Sequence, residues 1–181
     1  VDGVSLSIKE GETVGLVGES GSGKSTIANI ICGLLTPTTG NVVFDRQPIN
    51  TPAEKRSLEF RKRIQIIFQD PLSSLNPRHR IETILTRPLK IFFGLNGKVA
   101  SDRAVELLEA MELLPEHLSR FPRQLSGGQQ QRVAIACAFA AKPDLILCDE
   151  VTSALDVSVQ AHVLELLKAI QEKTGVACVF I

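Results

Sequence analysis

Short apolar runs alternate along the chain with longer stretches of helical period. Glu12–Val17 (ETVGLV) is an apolar run that passes at once into a glycine-rich loop and an apolar stretch from about Ser25 to Leu35: strand, loop, helix. Thr36-Pro37-Thr38-Thr39-Gly40 stops that helix, and Asn41–Phe44 alternates as an edge strand does. Ile64–Phe68 (IQIIF) predicts another strand. From Asp70 to about Gly128 the pattern changes. Pro71, Pro77, Pro88, Pro115 and Pro122 punctuate helical stretches, and Ser101–Leu114 sets Ala104, Leu107, Leu108 and Met111 on one face. The strand pattern returns at Leu145–Cys148. A helix follows over Val157–Lys173, with Val163, Leu164, Leu167 and Ile170 turned inward and Gly175 as its C-terminal cap. A last strand is predicted at Val176–Ile181.

Strands alternating with helices predict an α/β fold with a mostly parallel sheet covered on both faces. At 181 residues the chain has the size of one domain, 1–181. The core is assigned to 1–69 and 129–181, with 70–128 as an inserted helical subdomain. Val1 is not a start methionine, and both ends fall within strand-like sequence, as expected for a piece of a longer polypeptide.

Twenty basic residues balance twenty acidic ones, so no global field favours nucleic acid or anionic lipid. The basic stretch Lys55–Arg63, interrupted by Glu59, reads as solvated surface, with a docking patch as the alternative. The longest apolar run, Val133–Ala141, is roughly half of what a bilayer-spanning helix needs, and no secretory signal is recognisable. Cys32, Cys137, Cys148 and Cys178 lie apart in apolar sequence without a CxxC pair, which predicts reduced buried thiols.

The chemistry concentrates in three places. Gly18-Glu19-Ser20-Gly21-Ser22-Gly23-Lys24-Ser25 fits G-x-x-x-x-G-K-[ST] between a strand and a helix, and Thr26 follows in the first turn. Glycines let backbone N–H groups curl round a polyphosphate, Lys24 suits the β- and γ-phosphates, and the Ser25 hydroxyl suits Mg²⁺. Leu145–Cys148 runs into Asp149 and Glu150, two carboxylates at the strand end where open α/β sheets bind ligands. Asp149 suits a Mg²⁺ role, and Glu150 suits taking a proton from attacking water. Ser126-Gly127-Gly128-Gln129 fits a helix capping box. A cap does not require two glycines, whereas glycines and a hydroxyl at a helix start make a second anion cradle.

Gly18–Ser25, Gln69, Leu125–Gln129, Asp149-Glu150 and Ser153-Ala154-Leu155-Asp156 occur in the order and spacing of an ATP-binding-cassette ATPase domain, which the whole chain resembles. That resemblance implies a P-loop (RecA-like) core with a small antiparallel β subdomain, and ATP and Mg²⁺ as ligands. It also implies head-to-tail dimers in which Ser126, Gly127, Gly128 and Gln129 of one copy face ATP held by the other. Asp156 lies in a loop crossing that interface, with helix N-capping as its plainer role. Gln69 is implied to contact Mg²⁺ or water. Gln69-Asp70-Pro71-Leu72-Ser73-Ser74-Leu75-Asn76-Pro77-Arg78 resembles the branch serving importers of oligopeptides, dipeptides and nickel. The implied partners are a second ATPase subunit, transmembrane permease subunits and, indirectly, a solute-binding protein, with the chain peripheral on the cytoplasmic face of the membrane. Nucleic acid is not expected. The alternatives are a non-transport relative in DNA repair or translation and a nucleotide-gated regulator. Cys137 stands where the family usually has arginine and Val151 where it usually has proline. The adenine-stacking aromatic would precede Val1 and the switch histidine would follow Ile181. His79, His117 and His162 are read as surface or structural residues. These 181 residues alone are therefore expected to bind ATP weakly and hydrolyse it poorly.

Overall fold

In the computed structural model, which describes residues 1–153 and 155–181, four strands form one parallel sheet. They are β1 (Thr13–Gly15), β4 (Ile64–Ile67), β5 (Leu145–Cys148) and β6 (Ala177–Phe180), in the order β1-β6-β5-β4. Gly15 lies opposite Phe180, Phe180 opposite Cys148, and Cys148 opposite Ile67. The C-terminal ends of the strands are thus in line, and the loops that follow them emerge along one edge. All four residues of β5 are buried, as a strand covered on both faces requires.

Two apolar layers cover the sheet. On one face, Ala28 of α1 (Lys24–Cys32) packs with Ile64, Leu145, Leu147, Ala177 and Val179. On the other, Ile67, Ile146, Cys148 and Cys178 meet α6 (Gly127–Phe139) and α7 (Val157–Thr174). That second core runs on without a break into α3 (Pro71–Ser74), α4 (Ile81–Phe93) and α5 (Gly97–Glu109), through Leu75, Leu85, Leu108 and Ile135. Each such side chain contributes about 1.5–3 kcal/mol of burial. No helix among the described residues is long and apolar enough to cross a membrane.

Several elements differ from the pattern-based expectation. The Asn41–Phe44 strand is instead a two-residue β2 (Val43–Phe44), paired antiparallel with β3 (Gln47–Pro48). Asp45 and Arg46 close this hairpin with φ of 50° and 63°, the left-handed pair of a type I′ turn. β1 stops at Gly15, and Val17 is 94% exposed because the chain has already left the sheet. The helix expected at Ser101–Leu114 runs over α5 instead. After Glu109 the chain tightens, Leu113 N–H donating to Leu108 O (2.9 Å) with Glu112 left-handed, so Met111 and Leu113 stay buried outside the helix. Leu164 faces outward. The inward stripe of α7 is Val163, Leu166, Leu167 and Ile170, and Leu164 lies about 100° round the helix from Val163. Gly175 does cap α7, at φ 71°.

The Lys55–Arg63 stretch is not simply solvated. Arg56 is 7% exposed, and its guanidinium donates to Thr51 O (2.9 Å), Ile31 O (2.7 Å) and Ile30 O (3.4 Å), tying the end of α1 to the loop after the hairpin. Arg63 ends α2 (Leu58–Arg63), pairs with Asp45 and Asp144, and lies over the Phe44 ring. Arg56→Met should lower unfolding free energy by about 2–3 kcal/mol, since it strands carbonyls that a charged donor satisfies. Urea denaturation should show a lower midpoint at unchanged slope.

Cys148 and Cys178 are buried, and Cys32 and Cys137 half-buried. Burial pushes the thiols up, Cys32 to about 12, Cys137 and Cys178 to about 11, and Cys148 well above its usual range. Cys137 Sγ lies 3.9 Å from Ile84 O, and Val151 is buried, so both departures from the family pattern are apolar fillers.

Candidate nucleotide site

The glycine-rich loop leaves the sheet after Leu16, whose N–H donates to Phe180 O (2.7 Å). Gly18–Ser25 then turns on Ser22 N–H to Glu19 O (3.2 Å) and enters α1 at Lys24. Gly23, the residue before α1, has φ 97°, a conformation that a side chain would strain. No side chain caps the first turn of α1, so its N–H groups suit an anion. Lys24 Nζ arches back over the loop and donates to Gly18 O (2.8 Å), Glu19 O (2.7 Å) and Ser22 Oγ (3.5 Å). It pairs with no carboxylate among the described residues, which leaves its charge uncompensated. Ser20 and Gly21 lie exposed on the loop, and Thr26 is exposed in the first turn of α1.

The two acidic residues take different positions. Asp149 N–H donates to Ile67 O (2.9 Å), continuing the β4–β5 ladder, and its Oδ1 accepts from Ser25 Oγ (2.9 Å). Glu150 donates its N–H to Ile181 O (3.1 Å) and adopts φ 48°, an unusual conformation that costs about 1 kcal/mol or more and turns the chain off the sheet. Gln69, just after β4, donates through Nε2 to Glu150 Oε2 (3.0 Å) and Ser153 Oγ (2.9 Å). Gln69, Ser25, Asp149 and Glu150 therefore share the sheet edge that carries the loop.

A hydroxyl and a carboxylate oxygen at Ser25 and Asp149 form an oxygen-only donor set suited to a hard cation. No group of three or more His, Cys, Asp or Glu gathers among the described residues, so a cage made of protein alone does not fit. Mg²⁺, which is usually held by one or two carboxylates plus substrate phosphates, does fit.

Ser126 caps α6 as its spacing predicts. Its Oγ accepts from Gln129 N–H (3.3 Å), and Gln129 Oε1 accepts from Ser126 N–H (2.9 Å). A Cβ on Gly128 would lie 2.7 Å from Val159 Cγ1, so this glycine has a packing reason that composition concealed: α6 and α7 approach closely there. A Cβ on Gly127 would meet only Leu155 Cδ2, at 3.9 Å. Gln129 Nε2 lies 3.5 Å from His117 Nε2, and His117 is buried, a supporting residue that looked incidental in the sequence. No hydrogen bond joins Ser126–Gln129 to Gly18–Ser25 among the described residues. Asp156 takes the N-cap position of α7 as the plainer reading expects, its C=O accepting from Gln160 N–H (2.9 Å), although its side chain makes no cap hydrogen bond. Ala154, in the loop expected to cross an interface, lies outside the described residues. Ser153, seen in the sequence only as part of that loop, is the contact that pattern reading missed; hydroxyl partners leave no periodic trace.

The family model described as "ABC transporter" matches residues 1–153. The oligopeptide transport ATP-binding protein OppF of Lactococcus lactis is 49% identical over 181 residues, covering 100% of this chain and 57% of that protein. The putative oligopeptide transport ATP-binding protein YkfD of Bacillus subtilis is 47% identical over 182 residues, covering 100% of this chain and 55% of that protein. The chain thus spans little more than half the length of these relatives. Among solved structures, a dimeric ATP-binding cassette in a post-hydrolysis state bound to ADP and Pi superposes with a TM-score of 0.81 at 39% identity, covering 97% of this chain and 76% of that one. A component of an ABC transporter complex from Clostridium perfringens superposes with a TM-score of 0.83 at 29% identity, covering 98% and 69%.

Proposed function

This chain belongs to the ABC transporter family, and from that premise we propose that it is the ATP-binding and ATP-hydrolysing part of a subunit that drives peptide import. The observation that carries the proposal is the meeting of the Ser25–Asp149 and Gln69–Glu150 pairs at the sheet edge beside an uncompensated Lys24. The peptide-transport names of OppF and YkfD support the solute class, with nickel as the alternative.

The polyphosphate of ATP takes the backbone N–H groups of Gly18–Ser25 and Thr26, and Lys24 exchanges its loop carbonyls for the β- and γ-phosphate oxygens. Ser25 and Asp149 would hold Mg²⁺, with Gln69 beside them; when bound, the cation neutralises phosphate charge. Glu150 accepts a proton from the attacking water at its carboxylate, and Gln69 orients that water. Ser126, Gly127, Gly128 and Gln129 of a second ATPase subunit close over the γ-phosphate, and Asp156 crosses the same interface. The dimeric relative bound to ADP and Pi supports this pairing. The helical segment 70–128 acts as the subdomain that couples closure to permease subunits, which receive solute from a solute-binding protein. The subunit is peripheral on the cytoplasmic face of the membrane.

The test is ATP-driven uptake by the full-length protein reconstituted with its permease in vesicles. Lys24→Ala is expected to lower nucleotide affinity at least about tenfold, as loss of a charge-assisted contact does, and to abolish peptide uptake. Transport by that variant at the unaltered rate would refute the function; uptake of Ni²⁺ rather than peptide would replace the solute class.

A further inference from the structure

We propose that Ser153 is a positioning residue that sets the orientation of the Gln69 amide and so determines which atom Gln69 offers to a cation or water. The inference rests on the proposed ATPase function. The turn from Glu150 to Ser153 is closed twice, since both Ser153 N–H (3.0 Å) and Ser153 Oγ (3.0 Å) donate to Glu150 O. A hydroxyl has one hydrogen, and here it is committed to that carbonyl. Toward Gln69, Ser153 therefore presents only lone pairs. The Glu150 carboxylate beside it is likewise an acceptor when ionised.

Both polar neighbours of Gln69 are thus acceptors, and only its Nε2 satisfies them, at 2.9 Å from Ser153 Oγ and 3.0 Å from Glu150 Oε2. The flipped amide would set oxygen against oxygen at both contacts. With Nε2 held twice, Oε1 is the atom that Gln69 offers to a hard cation or to water, and a carbonyl oxygen is the correct chemistry for either. The left-handed backbone of Glu150 (φ 48°) makes the turn that brings the Ser153 hydroxyl to this place. Without Ser153, one acceptor rather than two selects the orientation.

The test measures binding of the non-hydrolysable analogue AMP-PNP to the full-length protein by calorimetry, in Mg²⁺ and in EDTA. Ser153→Ala should weaken the affinity in Mg²⁺ about 5- to 10-fold, the scale of one lost hydrogen bond. The affinity in EDTA should stay within about twofold, because the loop itself is untouched, and Ser153→Thr, which keeps the hydroxyl, should restore the difference. Gln69→Leu, which keeps the bulk but offers no oxygen, should lose at least as much in Mg²⁺. Unchanged Mg²⁺ dependence in Ser153→Ala would overturn the proposal. So would an equal loss in EDTA, which would mark general damage to the loop. Absence of ATP hydrolysis by the unaltered full-length protein would instead remove the underlying ATPase assignment while leaving the Mg²⁺ comparison readable.

Discussion

Glu150→Gln in the full-length protein is expected to cut steady-state ATP turnover by about 10²–10⁴-fold, the range assigned to a positioned general base. The substitution is nearly isosteric, and the local structure gives it little reason to unfold. The backbone bond from Glu150 N–H to Ile181 O is unaffected, and the new amide oxygen can still accept from Gln69 Nε2. Lys24, Ser25 and Asp149 are unchanged, so nucleotide affinity should stay within a few-fold. What disappears is the carboxylate's capacity to take a proton. ATP-driven dimerisation should therefore persist and outlast that of the parent protein, because the event that reopens the pair no longer occurs. Phosphate release and sedimentation in ATP measure the two effects on one sample. Turnover within threefold of the parent would remove Glu150 as the base, whatever became of the dimer.

Much of this site was legible because its parts are local in sequence. The loop Gly18–Ser25 announces itself by glycine spacing between a strand and a helix, and Asp149-Glu150 by acids ending a buried strand. The capping box at Ser126 and Gln129 is read from three residues' separation, and the structure forms both of its hydrogen bonds. What remained hidden depends on contacts between distant segments. Asp45-Arg46 lacks the glycine that marks most type I′ turns, so a hairpin looked like a lone edge strand. Arg56 looked like one more surface cation, yet carbonyls from α1 and from the loop at Thr51 converge on it. Leu164 fits a generous helical stripe, but the sheet accepts only the narrower set centred on Val163 and Leu167. Gly128 is the plainest case. Its cause is Val159, thirty-one positions further on, and nothing in the local pattern points there.

Gly127 and Gly128 should respond in opposite ways, which separates folding from assembly. Gly128→Ala sets a methyl 2.7 Å from Val159 Cγ1 between α6 and α7, an overpacking expected to cost about 1–3 kcal/mol. Val159→Ala in the same chain should return much of that loss. Gly127→Asp meets no such obstacle, since the nearest side-chain atom to its Cβ, Leu155 Cδ2, lies at 3.9 Å. A carboxylate in the first turn of α6 also suits the helix dipole and is worth about 0.3–1 kcal/mol there. The Gly127→Asp variant should therefore melt at or slightly above the parent's temperature. Its ATP-driven dimerisation should nevertheless fall by at least about 100-fold, because in the proposed pairing the new charge faces the partner's γ-phosphate, and like charges brought together cost several kcal/mol. Thermal melts and sedimentation in ATP, run on both variants, distinguish a weakened fold from a blocked interface. If Gly127→Asp dimerised with the parent's ATP dependence, the start of α6 would face no neighbour's nucleotide, and the shared pocket would have to be abandoned.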